Sequence, residues 1–275
     1  MQTVTAHGAT IPVIGFGTWN ISGAACAQAV ADAIKIGYRH IDTAAGYRNE
    51  DRVGEGIRAS VVSRDHLFIT TKVGPEDLAE KDFYASVENS LKQLGVDQVD
   101  LLLIHWASKV LPVADTIKPL NEAKRRGWTK HIGVSNFTIK LLTEAWAATK
   151  EPIVTNQIEY HPYLTQENLV SFMRSKGMTL TAYSPLGRQV ILDDPVIVGI
   201  AAKHKRTPAQ VVLRWDIQQP NVVPIPKSTK LANIRSNFHI FDFTLDAADM
   251  AALTALGAKK QRIAGWPPAN PDWDP

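Results

Sequence analysis

Eight short apolar runs recur along the chain, each followed by a segment with helical spacing, and this alternation constrains the fold more than any other feature. The runs span residues 13–17, 38–42, 67–72, 99–105, 131–134, 154–157, 179–183 and 222–225. Most are apolar without strict alternation, as parallel strands covered by helices require. Between them, Tyr84, Val87, Leu91 and Leu94 repeat at i, i+3, i+7 and i+10 and meet Gly95 as a stop. Segments 120–126, 165–176 and 207–219 behave likewise, and Thr207-Pro208 offers an N-cap followed by Pro at the first helical position. Strand-then-helix units with short connections predict an α/β fold, a (β/α)8 TIM barrel. An open doubly wound sheet would carry G-x-G-x-x-G after its first strand, but Gly15-Phe16-Gly17 is followed by Thr18-Trp19-Asn20.

The 275 residues, 45% hydrophobic, suffice for one such barrel, and no linker or low-complexity tract divides them, so a single domain over 1–275 is expected. The first ten or so residues, turning at His7-Gly8-Ala9, predict a β-hairpin that caps the barrel bottom; the Pro- and Trp-rich tail, 265–275, predicts an irregular loop. The net charge of +3 is dispersed, which argues against a nucleic-acid partner and suits a small anionic molecule. Cys26 is the only cysteine, so no internal disulfide is possible and neither redox nor zinc chemistry is supported; it is expected on the buried face of a helix over 23–36. No signal-peptide pattern opens the chain, and no run approaches the roughly 20 apolar residues of a membrane span, so a cytoplasmic protein with no membrane partner is expected.

Active residues of a barrel come from the C-terminal ends of its strands. Asp42 ends the second run, Lys72 the third and His105 the fourth, while Tyr47 lies in the loop after Asp42. Singly, each has a plain alternative: a cap, an exposed lysine, a satisfied core histidine, a packing tyrosine. At successive strand ends they converge on one mouth. A phenol is a poor acid at neutral pH, but a neighbouring ammonium stabilises its phenolate. Lys72 would serve Tyr47 in this way, Asp42 would hold Lys72 charged, and His105 would align a carbonyl oxygen.

These residues sit in longer patterns. Gly37-Tyr38-Arg39-His40-Ile41-Asp42-Thr43-Ala44 with Glu50 and Gly54, then Ile132-Gly133-Val134-Ser135-Asn136-Phe137, then Ile225-Pro226-Lys227-Ser228, resemble the three signatures of the aldo-keto reductases in the correct order. In pattern the chain resembles the bacterial 2,5-diketo-D-gluconate reductases among them. The resemblance implies carbonyl reduction with NADPH and gives Asp42, Tyr47, Lys72 and His105 the catalytic roles. It places the cofactor against Gly17, Thr18 and Asp42, with Ser135, Asn136 and Gln157 holding the nicotinamide carboxamide and Tyr183 stacked on the ring. Ser184, Leu186 and Gly187 would follow the pyrophosphate, Lys227, Ser228 and Thr229 the 2′-phosphate, and Asn233 and Asn237 the adenosine end. Asn233 stands where the family usually has arginine, whose bidentate grip on phosphate an amide does not reproduce, so discrimination against NADH is expected to be weaker.

Trp19, Trp106 and Trp266, with Tyr47 and His105, are expected to wall a shallow substrate pocket. It would suit aldehydes, α-dicarbonyls, keto-sugar acids or α-keto esters. A monomer is expected, by family habit. Two rivals remain: a class I aldolase with Lys72 as Schiff base, and a non-catalytic NADPH-binding sensor. A metal-dependent hydrolase is disfavoured, since His40 and Asp42 share a face but no further ligand cluster completes a site.

Overall fold

A computed structural model describes residues 1–274. Its central sheet holds eight parallel strands in sequence order: β3 (Phe16–Gly17), β4 (His40–Asp42), β5 (Phe68–Val73), β6 (Val99–Ile104), β7 (Thr129–Ser135), β8 (Ile153–Glu159), β9 (Thr179–Tyr183) and β10 (Val222–Pro224). The ends of this sheet meet through the Gly15 N–H, which donates to the Pro224 carbonyl at 2.9 Å, and the Gly17 N–H, which donates to that of Pro226 at 3.0 Å. Pro224 and Pro226 have no N–H to return, so the seam has fewer bonds than an ordinary ladder. The Ile225 N–H between them donates instead to Ala182 of β9 at 3.0 Å. The chain is therefore the expected (β/α)8 barrel. The first expected strand shortens to Phe16–Gly17, because residues 13–15 lead in from the hairpin and join the sheet only at this seam.

The Gly15 and Gly17 pair serves that seam. A Cβ on Gly17 would stand 2.8 Å from the Ile225 carbonyl oxygen, and one on Gly15 would stand 2.8 Å from both His40 Nδ1 and Ile225 Cγ2. Close approach of strands, not phosphate binding, explains both glycines.

Below the barrel, β1 (Thr3–Ala6) and β2 (Ala9–Pro12) form an antiparallel hairpin, with Gly8 at φ +83° in its turn. Ala6, Ala9 and Ile11 pack against Phe68, Leu101, Leu103, Val154 and Val223 of the strands, a separate apolar cluster that closes the barrel bottom. The larger core lies between sheet and helices. Helices α1 (Gly23–Ile36), α2 (Glu50–Arg58), α3 (Glu80–Leu94), α4 (Val113–Arg125), α5 (Ile139–Ala148) and α6 (Glu167–Ser175) follow β3 to β8 in turn. Cys26 is buried on α1, and Gly95, at φ +70°, ends α3 as its spacing predicts.

After β9 the pattern changes. Helix α7 (Pro195–His204) precedes α8 (Pro208–Gln218), the helix that packs on β10, and α10 (Ala247–Ala255) follows α9 (Leu231–Phe238). Helices α7 and α10 pack on each other and on α8, outside the ring. Thr207 caps α8 in a full capping box with Gln210. The described tail, 260–274, contains no helix or strand, and no helix among the described residues is long and apolar enough to cross a membrane.

Candidate active site

The C-terminal strand ends open onto a cavity of about 750 Å3. Asp42, Tyr47 and His105 line it, and Lys72, in the fully buried strand β5, lies directly behind them with no exposed surface. Its three N–H bonds are all used. Nζ donates to Asp42 Oδ1 at 2.6 Å, to the Thr43 carbonyl at 2.7 Å and to the Tyr47 hydroxyl at 3.3 Å. Asp42 Oδ2 accepts from Gln157 Nε2 at 2.7 Å, and the Asp42 carbonyl accepts from both the N–H and the hydroxyl of Thr18. Tyr47 closes a short 3-10 turn after β4, and its ring meets that of His105 edge-on at 5.5 Å. The four residues from three strand ends and one loop do converge.

Their electrostatics follow from that packing. Burial raises the Tyr47 phenol above its ordinary value, Lys72 opposes the rise through its charge and hydrogen bond, and Asp42 adds to it. Burial alone would lower the Lys72 ammonium, but the charges and hydrogen bonds of Asp42 and Tyr47 outweigh it and hold Lys72 above the ordinary lysine value. Burial, with the Lys72 charge beside it, lowers His105 to about 3. Both effects favour the neutral imidazole, and neither ring nitrogen is hydrogen-bonded among the described residues.

Beyond the floor, Asn136 adopts φ +62°, a conformation Asn tolerates better than most residues. Its Nδ2 donates to the His105 carbonyl and to Ser135 Oγ, both at 3.1 Å, while Oδ1 accepts from the Tyr183 hydroxyl at 2.8 Å. Ser135 donates to the Gln157 carbonyl at 2.8 Å and is buried behind the cavity wall. Gly17, Thr18, Asn136, Gln157 and Tyr183 line the cavity, as do Ser184, Leu186 and Lys227. Gly187, Ser228, Thr229, Asn233 and Asn237 lie outside its lining; Asn233 is exposed on α9 and Asn237 is buried in it. Trp19, Trp106 and Trp266 all reach the wall, with Trp106 meeting Trp266 and Trp273 edge-on at 6.4 and 6.2 Å.

Arg48, Glu76, Arg188 and Gln189 also line the cavity and were not among the expected residues. Arg188 lies over the Trp19 ring, 4.9 Å from its centroid, in a loop where Arg188 and Gln189 both have positive φ. Each follows a strand end, so extending the strand-end rule to every loop would have found them. The Thr43 carbonyl that holds Lys72 is backbone and carries no signal in the residue types. Among the described residues no three His, Cys, Asp or Glu side chains gather as a metal-ligand cluster. His40, which shares a strand with Asp42, bonds Thr70 Oγ1 at 3.0 Å beneath the floor.

Residues 13–258 match the model of the aldo/keto reductase family. The chain belongs to that family. It is 42% identical to the methylglyoxal reductase DkgB of Yersinia pestis over 268 residues, 96% of this chain and 100% of the relative. It is 43% identical to the glyoxal reductase of Bacillus subtilis over 273 residues, 98% of this chain and 96% of the relative. Among solved structures, a candidate 2,5-diketo-D-gluconic acid reductase B superposes at a TM-score of 0.97 with 42% identity, covering 100% of this chain and 98% of that one. An aldo-keto reductase of Bombyx mori in complex with NADP gives 0.89 and 34%, covering 96% of each chain. As an aldo-keto reductase this protein is an oxidoreductase, and its similarity to the reductases of glyoxal and methylglyoxal supports reduction of carbonyl groups.

Proposed function

We propose that this aldo-keto reductase uses NADPH to reduce small aldehydes and ketones, α-dicarbonyls foremost, to alcohols, with Tyr47 as the proton donor. The observation that carries the reading is Lys72 Nζ, held 2.6 Å from Asp42 and 3.3 Å from the Tyr47 hydroxyl, directly behind the cavity that Asp42, Tyr47 and His105 line.

The donor set fits a nicotinamide cofactor. Gln157 uses Nε2 on Asp42 and leaves Oε1 without a hydrogen bond among the described residues, an acceptor suited to a carboxamide N–H. Asn136 and Ser135 stand beside it, and Tyr183 offers an aromatic ring anchored by its hydroxyl. Ser184, Leu186 and Gly187 would hold the pyrophosphate, Lys227 with Ser228 and Thr229 the 2′-phosphate, and Asn237 the adenine. Asn233, exposed and neutral, leaves NADH usable. When bound, the cofactor supplies the hydride that adds to the carbonyl carbon.

The chain's residues do the rest. The neutral His105 ring donates a hydrogen bond to the carbonyl oxygen and orients it. Tyr47 gives its hydroxyl proton to that oxygen. The Lys72 ammonium stabilises the phenolate left behind, and Asp42, itself fixed by Gln157, keeps the ammonium charged and in place. The same contacts make Lys72 a poor Schiff-base nucleophile, because it is buried, charged and fully hydrogen-bonded.

Absorbance assays with glyoxal, methylglyoxal and 2,5-diketo-D-gluconate, each with NADPH and NADH, test the reading. NADPH consumption on the dicarbonyls, with a lower KM than for NADH, is the expected result. Cofactor binding without turnover across the panel would identify a sensor instead, and borohydride trapping of a carbonyl on Lys72 would identify an aldolase.

A further inference from the structure

A fully buried carboxylate at the barrel mouth lies outside this chemistry. Glu159 ends β8, two residues past Gln157, and its side chain has no exposed surface. Its Oε1 accepts from the backbone N–H of Ile263 at 2.7 Å, from that of Ala264 at 2.8 Å and from His161 Nε2 at 3.0 Å. Its Oε2 lies 3.5 Å from Arg262 Nη1. Three of these four donors belong to the C-terminal tail.

The tail forms one side of the cavity, where Ala264, Gly265 and Trp266 line it. Arg262, held to Glu159, lies over the Trp273 ring with Cζ 3.5 Å from the centroid, and Trp273 in turn meets Trp106. Residues 260–274 have no helix or strand to fix them, so their place depends on bonds such as these. An apolar side chain at 159 would fill the space but leave the successive N–H groups of 263 and 264 unmatched. A buried carboxylate is costly without donors, so its presence here marks a specific bonding task.

We propose that Glu159 is a positioning residue: it latches residues 262–266 to the barrel as the substrate-facing wall and so sets how well the site holds carbonyl compounds bulky enough to reach that wall. The role in substrate choice rests on the reading of this site as a carbonyl reductase; the latch itself does not. A small dicarbonyl such as methylglyoxal, held at Tyr47 and His105, needs little from the tail. Phenylglyoxal, whose ring extends toward Trp106 and Trp266, needs the tail in place.

The test uses the full chain saturated with NADPH, as wild type, Glu159→Ala and Glu159→Gln. Hydrogen exchange read by mass spectrometry is expected to rise by about tenfold or more in Glu159→Ala peptides from 260–274, with β4 to β6 unchanged. In the same variant the KM for phenylglyoxal rises by about tenfold, while kcat on methylglyoxal and the Kd for NADPH stay within about twofold. Glu159→Gln keeps an acceptor oxygen for the two N–H groups and recovers most of both effects. Should Glu159→Ala not fold, Arg262→Met reads the same two quantities in the same direction from a less buried position. Unchanged exchange in the tail, or a KM rise shared equally by both substrates, overturns the proposal. A wild-type chain that reduces no carbonyl would overturn the functional reading, and the exchange experiment would still decide the latch.

Discussion

Lys72 survives as a buried cation because each of its three N–H bonds meets an acceptor. Removing one partner of such a pair strands the other. Lys72→Met is expected to lower kcat by a factor of about 10^2 or more, since the phenol loses the charge that eases proton release. The same variant is expected to lose about 3–5 kcal/mol of stability in chemical denaturation, because Asp42 stays buried without its counter-charge. Asp216 shows the opposite condition. It is fully buried on α8, neither carboxyl oxygen has a hydrogen-bond partner, and burial raises its pKa well above 3.8. A carboxyl raised in the folded state holds its proton while the unfolded chain releases it, so this group erodes stability as pH climbs above the unfolded value toward the folded one. Asp216→Asn removes the titration. The stability of that variant relative to wild type is expected to increase between pH 5 and pH 7, by up to about 1.4 kcal/mol per pH unit. A constant difference across denaturation curves at those pH values would show that Asp216 is ionised in the fold.

Among elements, the seam where β3 meets the residues after β10 leaves no room for a side chain at Gly17. Gly17→Ala drives a methyl group against the Ile225 carbonyl and is expected to cost about 1–3 kcal/mol, read as a lower denaturation midpoint. The strands were legible in the sequence because parallel barrel strands are buried on both faces and read as apolar runs. Their C-terminal ends were legible for the same reason: Asp42 and Lys72 are charged residues at the ends of such expected runs, and His105 stands directly after a strand. Helices α7 and α10 were not legible. Most positions of α7 are apolar and α10 is rich in alanine, so neither shows a clear stripe, and both lie outside the eightfold repeat that organised the reading. The tail is irregular over its described residues 265–274, as its Pro and Trp content predicts, with residue 275 outside the described residues, but its attachment to Glu159 through backbone N–H groups leaves no mark in residue types.

Across the whole molecule, the two ends of the barrel are closed differently. An apolar hairpin seals the bottom, and a polar floor ringed by tryptophans opens at the top. The stable closure lies far from the chemistry, which leaves the mouth free to be built from loops. The three signatures quoted from the sequence fall on β4, on β7 and on the segment after β10, and the fold brings residues from the first two, Asp42 and Asn136, into one cavity with Lys227 from the third. Gln157 and Tyr183, outside the three signatures, bond Asp42 and Asn136 respectively, contacts between residues far apart in the chain that no residue pattern shows. The central claim is that the Tyr47 hydroxyl delivers the proton. Tyr47→Phe keeps the ring against His105 and removes only the hydroxyl. Its kcat on methylglyoxal with NADPH is predicted to fall by a factor of about 10^2 to 10^4 while the Kd for NADPH, followed by tryptophan fluorescence, stays near the wild-type value. Wild-type turnover in that variant would contradict the account.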